Sequence, residues 1–520
     1  MKKFFVTMCM LLTMLVLAAC SRGNGDPINI TQHDPPPNQN ATNQDDTIAS
    51  YQQNITQPLV SEPLSGNLTI SAFDSALMGP FLEQAAELFT YRHPGVSITV
   101  DVFSAVPEVM EIELEDGTMG HVMTMTGGPH ESRDYINQIN TELMSGRGPD
   151  ILSLDILPFH RYAQVGQLAN LREFMDNDQS FNINDYRPNI LDAISTNNEL
   201  YMFPITIDFR YLAFDSSLLT NQQDTLTARH AFTFEELFDI ARPFLGHTRA
   251  GGYDHRMIAM QEMQLFTSML DLYQSYFIDI GNRRANFTDG VFVEMLNQIQ
   301  DYIAAGYLQE RWEENMSMIG GTAATQRYFY RLNSALMLFN EFNRDDENRM
   351  SMDFGVGITD DDLVAGLLGN SLGHVPFSLG GRHGGAAFGI NANSPNQELA
   401  WEFIKFLSSD ALIEILRPPG GIPLYVSALE HMAQMWATGQ FFTGANERSE
   451  LALTAVEQAR VDAYMETVNR FMDMFNTFNV TDTIIRDMVL EAVRDYWAGD
   501  ISAHDLANRL QSSVHLVLNE

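Results

Sequence analysis

Two amino acids are almost missing from this 520-residue chain. Cysteine occurs only as Cys9 and Cys20, so no disulfide, thiolate metal site, cysteine nucleophile or redox pair can be built from the residues beyond Cys20. Lysine occurs only as Lys2, Lys3 and Lys405. A Schiff-base mechanism or a phosphate-gripping P-loop would have to rely on Lys405, which sits in a helical pattern with no glycine-rich loop before it. Metal motifs are missing as well: the 13 histidines include no His-Glu-x-x-His, and Asp360-Asp361-Asp362 lacks calcium-loop spacing. Neither a metal nor a cofactor is expected. Positive charge is scarce too, with 30 Lys+Arg against 67 Asp+Glu and a formal net charge of −37. Such a field repels nucleic acid and anionic headgroups and keeps copies of the chain apart, so no nucleic-acid partner and a monomer are expected.

The N-terminus is where cysteine and lysine do occur. Lys2 and Lys3 precede a mainly apolar stretch, Phe4 to Ala19, too short for a comfortable membrane span, and Leu17-Ala18-Ala19-Cys20 closes it. This resembles a bacterial lipoprotein signal. The resemblance implies cleavage between Ala19 and Cys20, a diacylglyceryl group on the Cys20 thiol, and stable anchoring by two or three acyl chains on the outer side of a bacterial cell membrane. From Cys20 to Ser65 the chain is poor in apolar residues and rich in Asn, Gln and Pro, which predicts a disordered tether spanning roughly 40 Å. Without disulfides, an exported body must be stable through core size alone, and the remaining length is ample for two domains.

At Leu68 the character changes. Leu68 to Phe73 reads as a strand, Gly79-Pro80 opens an amphipathic helix, Val96 to Phe103 alternates as a second strand, Tyr135 to Met144 is helical, and Ile151 to Ile156 is a third strand. That alternation predicts an α/β fold with parallel pairing and right-handed crossovers. The segment 105–133 is longer than a normal connection and reads as an insertion, with a hairpin as one form. Farther on, Phe234 to Leu245, Arg256 to Ile280 and Val291 to Ala305 read as helices. Ala335 to Phe339, Phe354 to Ile358 and Ala386 to Ile390 read as strands, and helical patterns fill Asn396 to Leu407, Glu447 to Phe478, Val480 to Trp497 and Ser502 to Leu518.

Four stretches carry a family resemblance. They are Phe81 to Phe89 with His93-Pro94-Gly95-Val96; Ile139 to Gly146 with Gly148-Pro149-Asp150-Ile151; Leu200-Tyr201-Met202-Phe203-Pro204; and Asn393-Ser394-Pro395-Asn396 running into Gln397 to Ile404. On these the chain from about Gly66 resembles the family 1 extracellular solute-binding proteins of ABC importers. The resemblance implies two α/β lobes joined by a hinge, with a ligand cleft between them: lobe 1 about 66–208 plus 370–415, lobe 2 about 209–369 plus 416–520. It also implies an oligosaccharide ligand, ABC permease subunits as partners, and closure in place of catalysis. The glycine that usually opens the third pattern is absent, and the 105–133 insertion is not standard for the family.

Polar residues just after the strands of an open α/β sheet face a crevice, which selects contacts independently of the resemblance. Asp74 and Ser75 follow the first strand, and a carboxylate there can accept two hydroxyl hydrogen bonds; the alternative is a turn capping the next helix. Asp155 ends the third strand, with Phe159, His160 and Arg161 in the following turn. Asp208 and Arg210 interrupt an apolar run and are either ligand contacts or a mutual ion pair. Asn340, Glu341 and Phe342 stand where many relatives place a Gly-Pro-Trp cluster that this chain lacks, so Phe342 is a stacking platform or a core residue. Arg382, in Gly380 to Gly385, could meet a ligand carboxylate. Gly420-Gly421-Ile422-Pro423 resembles a late family turn, with a helix stop as the simpler reading.

A rival reading is hydrolysis. Gly369-Asn370-Ser371-Leu372-Gly373 fits the Gly-x-Ser-x-Gly elbow, which needs a strand ending just before it and a helix after it; neither is evident in the sequence. A carbohydrate-active hydrolase with paired carboxylates and a ligand-presenting subunit for a membrane sensor stand as the alternative functions.

Overall fold

The computed structural model describes residues 64–73, 78–103, 109–113, 119–123, 129–215, 230–245, 254–258, 260–308, 326–335, 338–339, 342, 362–379, 386–413, 416, 419–439, 453–479 and 482–519. All lie within the unit Val60–Glu520. The first sheet contains β1 (Ser65–Phe73), β2 (Gly95–Phe103), β5 (Ile151–Ser153), β6 (Phe203–Pro204) and β16 (Ala387–Ile390), in the order β2-β1-β5-β16-β6. β1 pairs in parallel with β2 from Ser65↔Gly95 to Phe73↔Phe103, and with β5 through Ile70↔Ile151. The expected parallel start of an α/β fold is therefore present. Pro204, which cannot donate to a ladder, sits in β6 at the edge, where that loss is tolerated.

Helices α1 (Met78–Arg92), α2 (Pro129–Met144), α3 (Phe159–Gln164), α4 (Leu171–Asn177) and α5 (Pro188–Ile194) accompany this sheet. The insertion carries an antiparallel hairpin, β3 (Val109–Glu113) with β4 (Met119–Met123). The four family-like stretches explain one another here. Asp150 is buried, and its Oδ2 accepts from Thr69 N (2.7 Å) and Thr69 Oγ1 (2.9 Å), while Oδ1 accepts from Ser394 Oγ (2.5 Å) and Asn396 Nδ2 (3.3 Å). One carboxylate thus ties the strand pair to the start of helix α10 (Gln397–Leu407). That helix buries Leu399, Trp401, Phe403, Ile404 and Leu407 and meets Phe89 of α1 edge-on through Phe403.

Lys405, on the same helix, is structural. Its Nζ lies 2.5 Å from Asp178 and 2.8 Å from Glu402. Burial pushes Asp178 up, but hydrogen bonds from Lys405, Ser180 and Trp401 outweigh it and hold the carboxyl at about 2.

The second sheet runs β10-β13-β8-β14-β9, with β8 (Arg210–Asp215) antiparallel to both β13 (Gln326–Ser334) and β14 (Asp362–Leu368). β9 (Ala231–Phe232) and β10 (Asp254–Ile258) form its edges. Its core is filled by α6 (Phe234–Ala241), α7 (Glu262–Leu272), α8 (Gln274–Phe277), α9 (Val291–Ala304) and the late helices α14 (Thr483–Trp497) and α15 (Ala503–Asn519). A ribbon, β11 (Ile278–Asp279) with β12 (Arg284–Ala285), closes it at one side. Between the sheets run β7 (Thr206–Ile207) paired with β17 (Ile422–Pro423), and β15 (Pro376–Phe377) paired with β18 (Thr477–Phe478). Helices α11 (Asp410–Ile413), α12 (Val426–Ala437) and α13 (Ala455–Met474) complete the chain, with α12 and α13 packed on each other. The result is the two-lobed α/β architecture with crossing strands.

Several expectations need correction. The 256–280 segment is not one helix: it holds β10, two helices and β11. The third strand stops at Ser153, so Asp155 lies in the loop beyond it. The strand expected over 335–339 is displaced to β13, and Ala335, Leu338 and Phe339 lie in short helical turns. Helix α1 begins at Met78, ahead of Gly79-Pro80. Gly421 is neither a helix stop nor a free turn: at φ 46°, a Cβ there would come within 2.1 Å of the Ile207 carbonyl oxygen, so only glycine allows β17 to reach β7. The Phe354 to Ile358 expectation falls outside the described residues.

Candidate ligand-binding cleft

In the first sheet β1 lies between β2 and β5: the chain leaves β1 towards β2 on one side and leaves β5 towards β6 on the other. This is a topological switch point, and the crevice lies outside the carboxyl ends of β1 and β5. Three rings meet there. Phe73 ends β1 and Phe103 ends β2; their rings stack at 6.1 Å, and Tyr135 of α2 tilts against them at 5.7 and 5.5 Å. Register dictates this, because Phe73 and Phe103 are direct partners across a parallel pair. The Tyr135 hydroxyl lies 3.2 Å from Ser71 Oγ.

Asp155 stands beside this cluster. Burial pushes its carboxyl up to about 6, against hydrogen bonds from Ser153 Oγ (3.1 Å) and the Ile156 and Asp155 backbone, and its charge acts on Tyr135. Part of the residue's surface stays open. Among the described residues no cation is in contact with this desolvated carboxyl, and hydroxyl donors are what would satisfy it.

Across the crossing, Arg210 begins β8 and is exposed. Its charge, with that of Arg486, acts on Asp271 of α7, whose carboxyl burial pushes up. Asn479 follows β18 and donates from Nδ2 to the Asp271 carbonyl at 2.7 Å, and among the described residues its buried Oδ1 has no hydrogen-bond partner. Phe478 next to it meets Phe159 of α3 at 6.3 Å, so the two lobes touch here.

The remaining expected contacts are spread out. Asp208 is buried on the crossing segment; its backbone pairs with Ser378 and its Oδ1 accepts from Ala335 N at 3.1 Å. Phe342 meets the edge of Tyr464 at 6.2 Å, beside Phe339 and Trp436. His160 faces Asp482, with Nε2 3.5 Å from Oδ2. Asp74, Ser75, Glu341 and Arg382 lie outside the described residues, as does Cys20. The sequence reading missed Tyr135, Asp271, Asn479 and Asp482. Only Tyr135 had a local signal, its place on the apolar face of a helix leading into the switch-point strand.

The serine motif meets half of its requirement. β14 does end at Leu368 just before it, contrary to expectation, but the chain then turns through Asn370 to Gly373 into β15, with no helix after the serine. Asn370 Oδ1 accepts from Leu372 N and His374 N, Ser371 Oγ lies 3.0 Å from the Tyr273 hydroxyl, and His374 Nδ1 faces Ser275 Oγ at 3.4 Å. Among the described residues no base is aimed at Ser371. Among the described residues no group of three or more His, Cys, Asp or Glu is placed to hold a metal ion, and no helix is long and apolar enough to cross a membrane.

Two lobes with a switch-point crevice define the class of two-lobed α/β binding proteins of the periplasmic type. A family profile described as bacterial extracellular solute-binding protein matches residues 129–412, more than half of the chain. The chain belongs to that family. Solved structures share the fold at low identity. A family 1 extracellular solute-binding protein from Alicyclobacillus acidocaldarius subsp. acidocaldarius DSM 446 is 15% identical, with 88% of this chain and 100% of that one covered and a TM-score of 0.53. A periplasmic oligogalacturonide-binding protein from Yersinia enterocolitica is 13% identical over 87% and 99%, with a TM-score of 0.54. The sugar-binding protein MalE from Xanthomonas citri is 15% identical over 87% and 98%, with a TM-score of 0.52.

Proposed function

We propose that this solute-binding protein is the lipid-anchored receptor of an ABC importer, capturing an oligosaccharide and delivering it to the permease. The observation that carries the ligand class is the part-exposed Phe103 ring, backed by the buried Phe73 and Tyr135, with Asp155 at the switch point. Aromatic faces cover the apolar side of a sugar ring while a carboxylate accepts from its hydroxyls. Asp74, Ser75, Asp155, His160, Asp208, Arg210, Glu341, Phe342 and Arg382 remain the proposed contacts, extended by Tyr135, Asp271 and Asn479. The lobe boundaries remain those expected from the sequence. Ligand held by both lobes favours the closed form, so the function requires differential affinity for closed over open.

In this reading Cys20 carries the acyl chains, the leader is removed, and the tether keeps the binder near its membrane partner at raised effective concentration. A thermal-shift screen with neutral oligosaccharides, acidic oligosaccharides and peptides tests the ligand class: a saccharide should raise the melting temperature. A rise with a peptide or amino acid and none with any saccharide would remove the sugar assignment. Product formation during incubation with the same panel would replace binding by hydrolysis. Cys20→Ser should release the protein from membranes and leave its ligand affinity unchanged.

A further inference from the structure

Beside the Phe159–Phe478 contact, the seam between the lobes carries a set of polar and charged pairs that cross it. On the first-lobe side, α3 presents His160 and Arg161, and α2 presents Arg133. On the second-lobe side, the first turns of α14 present Asp482 and Asp487. Asp482 is buried and divides its work. Its Oδ1 caps the helix by accepting from Ile484 N and Ile485 N, both at 3.0 Å. Its Oδ2 lies 3.5 Å from both His160 Nε2 and Arg161 Nη2. Arg161 Nη2 also donates to the Val517 carbonyl of α15 at 3.2 Å, and Arg133 Nη2 is 3.8 Å from Asp487 Oδ2. Gln164, at the end of α3, donates to the Ile280 carbonyl at 3.3 Å and accepts from Arg283 at 3.2 Å.

We infer that this seam is a charged latch: Arg133, His160 and Arg161 of the first lobe close on Asp482 and Asp487 of the second, and the strength of that contact sets how readily the lobes part before any ligand arrives. The geometry fits a contact that is made and broken. Its charged separations, 3.5 to 3.8 Å, are longer than the 2.5 to 2.9 Å bonds that Asp150 accepts from Thr69 and Ser394 inside the first lobe. In a chain of formal net charge −37, Arg133 and Arg161, together with the His160 imidazole, stand opposite two carboxylates, and the attraction of the two arginines for them is one that salt will weaken. The inference rests on the two-lobed fold and the closure reading, not on the identity of the ligand.

The test needs no ligand. Because Cys9 and Cys20 are the only cysteines, the full chain with Cys9→Ser and Cys20→Ser accepts nitroxide labels at Met144→Cys and Ile303→Cys, one exposed position on each lobe. Electron–electron distances then report lobe separation. Asp482→Asn keeps a capping side chain but removes the charge, and Arg161→Gln removes the other partner. Each should raise the longer-distance population relative to the shorter about fivefold, which corresponds to about 1 kcal/mol. About 0.5 M NaCl should act in the same direction on the wild type and much less on Asp482→Asn. Arg509→Ala removes a 2.6 Å ion pair to Asp495 that stays within the second lobe, and it should leave the distances unchanged. The latch is wrong if both seam variants, folded by circular dichroism, keep the wild-type distances. It is equally wrong if Arg509→Ala shifts them as much as Asp482→Asn does, or if the wild type at low salt already shows only the long distance. Should Asp482→Asn unfold α14, Arg161→Gln decides alone. Failure here leaves the thermal-shift test of the ligand untouched.

Discussion

Asp150 and Asp155 stand at opposite ends of the same three-residue strand, and their surroundings are opposite too. Asp150, before β5, is buried among four donors from β1 and the approach to α10. Asp155, beyond β5, has among the described residues one side-chain donor, Ser153, and a carboxyl that burial pushes up to about 6. The amino end of the sheet is saturated with hydrogen bonds, as a load-carrying joint should be. Among the described residues the carboxyl end has fewer donors and lies beside three aromatic rings, and a group kept at a cost to stability is what makes it the proposed ligand contact.

That contrast can be broken by mutation, and the largest effect belongs to the saturated end. Asp150→Ala removes the charged acceptor shared by Thr69 N, Thr69 Oγ1 and the buried Ser394 Oγ, and should cost about 3 kcal/mol in urea unfolding. A loss under 1 kcal/mol would mean that the joint is replaceable. Asp155→Asn should do the reverse. Because burial raises its folded-state pKa, the folded protein holds that proton more tightly, and stability falls as pH rises from about 4 through about 6 and stays lower above. Removing the charge should therefore stabilise the protein by about 2 kcal/mol at pH 8 and flatten that pH window, while weakening saccharide binding about tenfold. If unfolding at pH 5 and pH 8 responds equally to this substitution, the carboxyl is not desolvated as described.

Gly148→Ala sharpens the comparison at lower cost. Its Cβ would sit 2.8 Å from Leu143 Cδ2 and 3.2 Å from Asn391 Nδ2, so a loss of about 1 kcal/mol with unchanged ligand affinity is expected. Ser71→Ala is the smallest change. It removes the 3.2 Å partner of the Tyr135 hydroxyl and should cost at most about 1 kcal/mol, yet it should alter ligand affinity if Tyr135 faces the ligand. Calorimetric titration with whichever saccharide shifts the melting temperature would separate the two effects.

The amino end was legible in the sequence because its residues recur as motifs: Gly148-Pro149-Asp150 and Asn393-Ser394-Pro395-Asn396 proved to be two halves of one joint. At the carboxyl end, Asp155 was legible from strand position alone. Asp271, Asn479 and Asp482 were not, because no local pattern announces a contact such as that between Arg161 and Asp482, 321 residues apart. The misplaced strand at 335–339 has a simpler cause. A short apolar run looks the same whether it is a buried strand or a buried turn, while the true strand, Gln326–Ser334, carries arginines and an asparagine that hid its alternation. The Arg256 to Ile280 error is of the same kind, since β10 and α7 follow each other with apolar residues throughout.

The division of labour within Asp482 bears on speed. When Oδ2 releases His160 and Arg161, Oδ1 can keep its hold on Ile484 N and Ile485 N, so the helix end stays folded as the seam opens. Parting of the lobes then needs no unwinding and no refolding on return. It should proceed as a collective domain motion, in about microseconds to milliseconds, and should not be slowed to the rates of local unfolding. A binding protein built this way could open and reclose many times during a single encounter with its ligand.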